Sequence, residues 1–268
     1  MMSANPVIET ILAHKRAEVE AMRRRFPEEA LRAIARERQG PRRSLIATLA
    51  AETPRFKVIA EVKRATPSKM LRSTGFDPVA VAEGYETSGA VGLSVLTDAR
   101  FFAGAAEYAP LIREATGLPV LRKDFIIDRW QVAHTAALGA DALLLMAVNF
   151  PNTQALEPLY RDALELGMEP LVEIHDWRDW ELVRPLAPRL VGINNRDFRS
   201  ADLAVDIHAT LHLAPLLPEE TLIVSESGVG TSAQMDLLRR GGADGFLIGS
   251  ALMEKENPGA ALAALLAG

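Results

Sequence analysis

The chain contains no cysteine. Disulfides, thiolate-ligated zinc and thiol nucleophiles are thereby excluded, a composition that suits a reducing cytoplasm. Positive charge is in deficit as well: 268 residues carry 30 Lys and Arg against 35 Asp and Glu, a formal charge of −5. Nucleic acid needs a basic footprint that this balance does not supply, so any anionic ligand must be held by a local group of donors. Long apolar runs are also missing. No stretch approaches the roughly 20 residues that cross a bilayer. Between Met1 and Glu20 the charges of Glu9, Lys15, Arg16, Glu18 and Glu20 leave no room for the apolar centre of a secretory signal. A soluble, cytoplasmic protein with no membrane or nucleic-acid partner is expected, as a monomer or weak dimer. Neither a Walker loop nor a dinucleotide fingerprint is present.

What the chain does have is apolar residues, 49% of the total and ample for a core. Its length suits either two average domains or one large α/β barrel. From Val58 onward, short apolar runs alternate with amphipathic helical patterns. The first run starts at Val58 and ends in Glu61 and Lys63, and the others are 91–96, 119–121, 142–146, 170–172, 190–193, 222–224 and 245–248, with helices expected at 78–88, 128–138, 153–166, 177–184, 233–240 and 258–266. Strands recurring at the interval of one βα unit predict a closed (β/α)8 TIM barrel, α/β in class, as a single domain over 1–268. Gly139 and Gly242 read as helix-end glycines turning into the next strand. Residues 1–50 form a helical extension, with helical patterns near Ile8–Val19, from Pro27 to Arg38 ahead of Gly40-Pro41, and at Leu45–Ala50. It is expected to cap the bottom of the barrel, with Arg23-Arg24-Arg25 as a solvated helix face.

The first strand is chemically odd. Residues i and i+2 of a strand point the same way, so Ile59, Glu61 and Lys63 share one face and Val58, Ala60 and Val62 the other. Burying Glu and Lys without a partner costs several kcal/mol, so this pair either reinforces itself or lines a polar pocket. In a barrel the site is built at the carboxyl ends of the strands, and polar residues concentrate there. Thr97-Asp98, Lys123-Asp124, Asn149, Glu173, Asn194-Asn195-Arg196, Ser225-Glu226-Ser227 and Gly249-Ser250 end successive strands. Some have ordinary readings: Asp98 and Asp124 as helix caps, Asn149 as a turn former, Arg196 with Asp197 as a surface pair. The turns at Ser227-Gly228 and Gly249-Ser250 open helices after the last two strands, the usual place for a phosphate in such barrels. His208 and His212 lack a third ligand, so no metal is expected. His175 reads as a supporting or turn residue, and Trp130, Trp177 and Trp180 as packing.

The segment Ala60-Glu-Val-Lys-Arg-Ala-Thr-Pro-Ser-Lys69 resembles the first strand and loop of the indole-3-glycerol phosphate synthase family. Leu93–Asp98, Val120–Ile126, Leu171–His175, Gly192–Asp197, Val224–Gly228 and Phe246–Ser250 are similar to that family's motifs in the same order, and the extra N-terminal helices are similar too. The resemblance implies a lyase that closes 1-(2-carboxyphenylamino)-1-deoxyribulose 5-phosphate to indole-3-glycerol phosphate, releasing carbon dioxide and water, with no cofactor. It further implies Lys123 as general acid, Glu173 as a charge stabiliser that moves protons, and Glu61 with Lys63 as a coupled pair. Lys63, Asn194 and Arg196 would contact the substrate carboxylate or hydroxyls, with Glu226 and Ser227 beside them. The phosphate would rest on Thr66, Gly228, Gly249 and Ser250. Thr66 stands where the family usually has Ser, which keeps the hydroxyl. Met70 stands where it usually has Gly; if the loop needs a left-handed residue there it must either strain or take another path, with Met70 and Leu71 packing on the rim or over the substrate's anthranilate ring. Two rivals remain: another phosphate-binding barrel such as a phosphoribosylanthranilate isomerase, against which Lys63, Lys123 and Glu173 argue together, and a barrel that binds without catalysis.

Overall fold

Eight parallel strands close on themselves in the computed structural model, which describes residues 6–38, 41–200 and 202–268. They are β1 Val58–Val62, β2 Gly92–Leu96, β3 Val120–Lys123, β4 Ala142–Met146, β5 Glu169–Ile174, β6 Leu190–Asn194, β7 Leu222–Glu226 and β8 Gly245–Ile248. Each pairs with its sequence neighbours, and β1 closes the ring on β8 through Val58↔Phe246, Ile59↔Leu247 and Ala60↔Ile248. Alternation sorts the side chains as expected. Val58, Ala60 and Val62 pack outward with Tyr85, Val95 and Ile112, whereas Ile59 joins Leu121, Leu144, Leu171, Val224 and Leu247 inside. The barrel is therefore a packed core with its polar residues displaced to one mouth.

The surrounding helices are α4 Pro78–Thr87, α5 Ala99–Phe102, α6 Tyr108–Ala115, α7 Arg129–Leu138, α8 Thr153–Glu165, α9 Trp177–Val183, α10 His208–Leu213, α11 Ser232–Arg240, α12 Ser250–Met253 and α13 Pro258–Ala267. Short polar side chains start several of them by accepting otherwise unpaired backbone N–H groups: Asp77, Asp98, Asp128, Asn152, Asp176, Thr231 and Asn257. Gly139 ends α7 at φ 85°, and Gly242 turns into β8 at φ 106°. Both glycines occupy the left-handed region that a helix end favours. The crossover from β2 to β3 holds α5 and α6, which periodicity did not separate from loop. Trp130 is buried and Trp180 partly so, but Trp177 is 59% exposed beside Arg178, not packed as expected.

The extension is α1 Pro6–Arg25, α2 Glu28–Glu37 and α3 Leu45–Ala50. Gly40, expected to end α2, lies outside the described residues. Among the described residues of the extension, α3 and the segment leading into it cap the bottom. A Cβ on Gly92 at the start of β2 would meet Leu45 at 2.7 Å, and one on Gly245 at the start of β8 would meet Leu49 at 2.5 Å. Ser44 and the Ile46 N–H bind the Glu169 carboxylate at the start of β5. By contrast α1 crosses the opposite mouth: Ile8, Ile11 and Leu12 share a cluster with Phe125 and Met146, and buried Lys15 reaches Asp98 and Asp124 past the ends of β2 and β3. The expected bottom cap is thus divided between two ends, because Lys15 finds its carboxylates only where the strands finish. The basic run ending α1 is mostly solvated, with Arg23 bonded to Asp128 and Arg24 to Glu20.

Candidate active site

Lys123, the last residue of β3, points into the mouth and meets three carboxylates from three other strands. Its Nζ lies 2.5 Å from Glu226 Oε2 on β7, 3.8 Å from Glu173 Oε2 on β5 and 4.0 Å from Glu61 Oε2 on β1. Lys63 binds the other oxygen of Glu61 at 2.6 Å. The odd pair on β1 is therefore neither isolated nor merely self-satisfied: Glu61 bridges two ammonium groups in a buried pocket. Asn194 ends β6 beside Glu173 and works to lower its pKa.

The electrostatics follow from this crowding. Burial would lower the Lys123 pKa, but Glu226, Glu173 and Glu61 outweigh it and raise the ammonium above its ordinary range. Burial would raise Glu61, yet Lys63 and then Lys123 bring it below the usual carboxylate range. Glu173 goes the other way. Burial first, with the charge of Glu226 adding and that of Lys123 opposing, pushes it up to about 8. Its Oε2 and Glu226 Oε1 are buried without a hydrogen-bond partner. Near neutrality the pocket thus holds the charged Lys123 ammonium beside a carboxyl that exchanges its proton in the same pH range.

Two glycines make room for these groups. A Cβ on Gly192 of β6 would lie 2.1 Å from Glu226 Oε1, and one on Gly249 would lie 2.3 Å from Glu61 Oε1. Gly249 was read as a phosphate contact; sterically it also seats Glu61. Gly192 was not singled out, although a glycine inside a strand is itself a signal of close approach. After β7 the backbone runs left-handed twice, at Ser227 (φ 65°) and Gly228 (φ 77°). Such a turn presents consecutive N–H groups to one side, and a Cβ on Gly228 would strike Val205 at 2.6 Å. Ser250 opens α12 directly after Gly249.

Other expected residues stand apart from the lysine cluster. Thr66 lies in a small hairpin, Ala65–Thr66 against Lys69–Met70, where its hydroxyl accepts the Lys69 N–H at 3.1 Å. Met70 is half exposed in a short strand with no left-handed φ, so the loop carries no backbone strain there, and of the pair Leu71 packs against the core. Arg196 does not pair with Asp197: its guanidinium donates to the Leu203 carbonyl, while its N–H binds Asn194 Oδ1. Asn195 is structural, tying Ser225, the Ser227 carbonyl and Thr210 together. His175 is a supporting residue, with Nδ1 2.7 Å from the Asn194 carbonyl. Asp98 caps α5 as read, whereas Asp124 caps no helix and instead binds Lys15 and Arg122.

A parallel eight-stranded barrel with a buried lysine and carboxylate cluster at its carboxyl mouth defines the class, a TIM-barrel enzyme. Its helical extension and strand-end residues narrow the class further. The chain belongs to the indole-3-glycerol phosphate synthase family, whose model matches residues 8–265. It is 43% identical over 254 residues to the indole-3-glycerol phosphate synthase of Geobacillus kaustophilus, covering 94% of this chain and 93% of the relative. To that of Laribacter hongkongensis it is 43% identical over 263 residues, covering 97% and 99%. Among solved structures it is similar to a thiamine phosphate pyrophosphorylase from Pyrococcus furiosus, with a TM-score of 0.58 at 16% identity over 83% of this chain and 96% of that one. That likeness concerns the barrel fold.

Proposed function

We propose that this protein is a lyase of tryptophan biosynthesis that closes 1-(2-carboxyphenylamino)-1-deoxyribulose 5-phosphate to indole-3-glycerol phosphate. The observation carrying the reading is the enclosure of Lys123 by Glu226, Glu173 and Glu61 inside a family member's barrel mouth. The ring carbon bearing the carboxylate attacks the ketone, and Lys123 gives a proton to the ketone oxygen. Carbon dioxide then leaves, and its bonding pair restores the aromatic ring. Loss of the new hydroxyl as water needs a second acid, a role assigned to Lys63, and a group to take a ring-methylene proton, a role assigned to Glu173. Glu61 lies against both lysines, Lys63 on one oxygen and Lys123 on the other. Glu226 and Asn194 orient Lys123 and Glu173, Ser227 and Arg196 meet the substrate's polar groups, and Thr66, Gly228, Gly249 and Ser250 hold its phosphate. The chemistry calls for no cofactor, and the cysteine-free chain fits a cytoplasmic setting.

Mixing the protein with the carboxyphenylamino-deoxyribulose phosphate should produce indole fluorescence together with one carbon dioxide per substrate consumed. Absence of both products at saturating substrate would reject the activity. Lys123→Met should lower the single-turnover rate by about 10²- to 10⁴-fold, the usual scale for a lost general acid, while substrate affinity changes far less.

A further inference from the structure

Lys15 belongs to the extension, yet it is completely buried and lies far from any role in the chemistry just described. Its Nζ makes ion pairs with Asp98 at 2.8 Å and Asp124 at 2.9 Å, beyond the ends of β2 and β3, and with Glu18 at 3.0 Å. Asp124 also binds the Arg122 guanidinium at 2.9 Å and the Thr97 hydroxyl at 2.6 Å. Arg122 reaches the same Thr97 hydroxyl at 3.0 Å, and the Thr97 N–H donates to the carbonyl of Lys123 at 3.1 Å. Residues on both sides of Lys123, and its own carbonyl, are therefore fixed by one buried network, which Lys15 joins to the extension.

A buried set of ion pairs gives little net stability over well-packed apolar groups, because desolvation offsets the attraction. It does fix register, since a displaced charge has no alternative partner. We propose that Lys15 is a positioning residue for the reaction: by clamping Asp98 and Asp124 it ties α1 to the end of β3 and sets the place of the Lys123 ammonium. The proposal rests on Lys123 being the acid. Through this clamp a helix that touches no reacting atom becomes part of what determines the rate.

Lys15→Met alone leaves two buried carboxylates facing a single guanidinium and is expected to destabilise the fold. The decisive variant is Lys15→Met with Asp98→Asn, which keeps the buried charges balanced and retains an acceptor for the Phe101 N–H that Asp98 binds at 2.7 Å. Single-turnover rates should be measured per active site, titrated with a non-reacting substrate analogue, for this variant, for Lys123→Met and for their combination. The balanced variant should be slower by about 10- to 100-fold with analogue affinity within about threefold of the parent, and it should cost nothing further in the Lys123→Met background. A merely structural role would leave the rate per titrated site unchanged; an independent role would multiply the two losses. Either result overturns the proposal, as does a balanced variant that has no folded active sites to titrate. Undiminished turnover in Lys123→Met would instead reject the acid assignment beneath it.

Discussion

Glu226 can sit against Lys123 because Gly192 supplies no side chain at that point, and a methyl group there would lie 2.1 Å from the carboxylate. Gly192→Ala should therefore push Glu226 aside, lowering kcat by about tenfold or more, with an overpacking cost of about 1–3 kcal/mol. Wild-type kcat in a folded Gly192→Ala protein would show that the position of Glu226 is unimportant. Adding Glu226→Asp should relieve the clash, so stability should recover even though activity does not. The charged residues were legible in the sequence since alternation on β1 put Glu61 and Lys63 on one face, and the strand ends supplied the rest. Neither Gly192 nor Lys15 carried its role on its face. The first matters through a side chain on the neighbouring strand, and the second is one basic residue among several on a helix until the fold delivers Asp98 and Asp124 to it.

Loops and helices between the strands set access to the pocket. The hairpin after β1 is moored at its far side: Lys69 pairs with Glu254 at 2.8 Å, and the Arg72 guanidinium donates to the carbonyls of Lys255 and Glu256. Opening this loop requires those contacts to part. Glycine within a strand costs roughly 0.5–1 kcal/mol, so Met70→Gly should loosen the hairpin, leaving the single-turnover rate about unchanged while kcat and KM shift together. Collapse of the single-turnover rate would place Met70 among the reacting groups. At the opposite mouth, Leu49→Ala should destabilise the protein by about 2–5 kcal/mol by emptying the slot over Gly245, with kcat preserved well below the melting temperature. A matching loss of kcat would refute the separation of the two mouths. The strands and most crossover helices were readable because their apolar runs, caps and glycines are local signals. α6 escaped because Pro110 interrupts its pattern close to its start, and α10 because its six residues include two His and a Thr, weak helix formers. The placement of α1 was misread because periodicity reports a helix without saying which mouth it crosses.

For the whole molecule, the raised pKa of Glu173 makes stability depend on pH with a definite sign. The folded protein keeps this proton up to about 8, whereas a carboxyl at its ordinary value of 4.5 has released it. The contribution is therefore fully present below about 4.5 and is lost as pH rises through 8. Denaturant unfolding should show a fall in stability across that window that Glu173→Gln flattens; an unchanged slope in the variant would place the titration elsewhere. The ring itself has another consequence. Glu61 stands on the first strand and leans on Gly249, just past the last one, and the register between them is made only when β1 meets β8. A chain emerging from the ribosome holds Lys63, Lys123 and Glu173 long before it holds a pocket, and the seam joins residues from opposite ends of the barrel sequence, the slow kind of contact. Activity is thus the last property the newborn molecule acquires, and it arrives all at once, with the final strand.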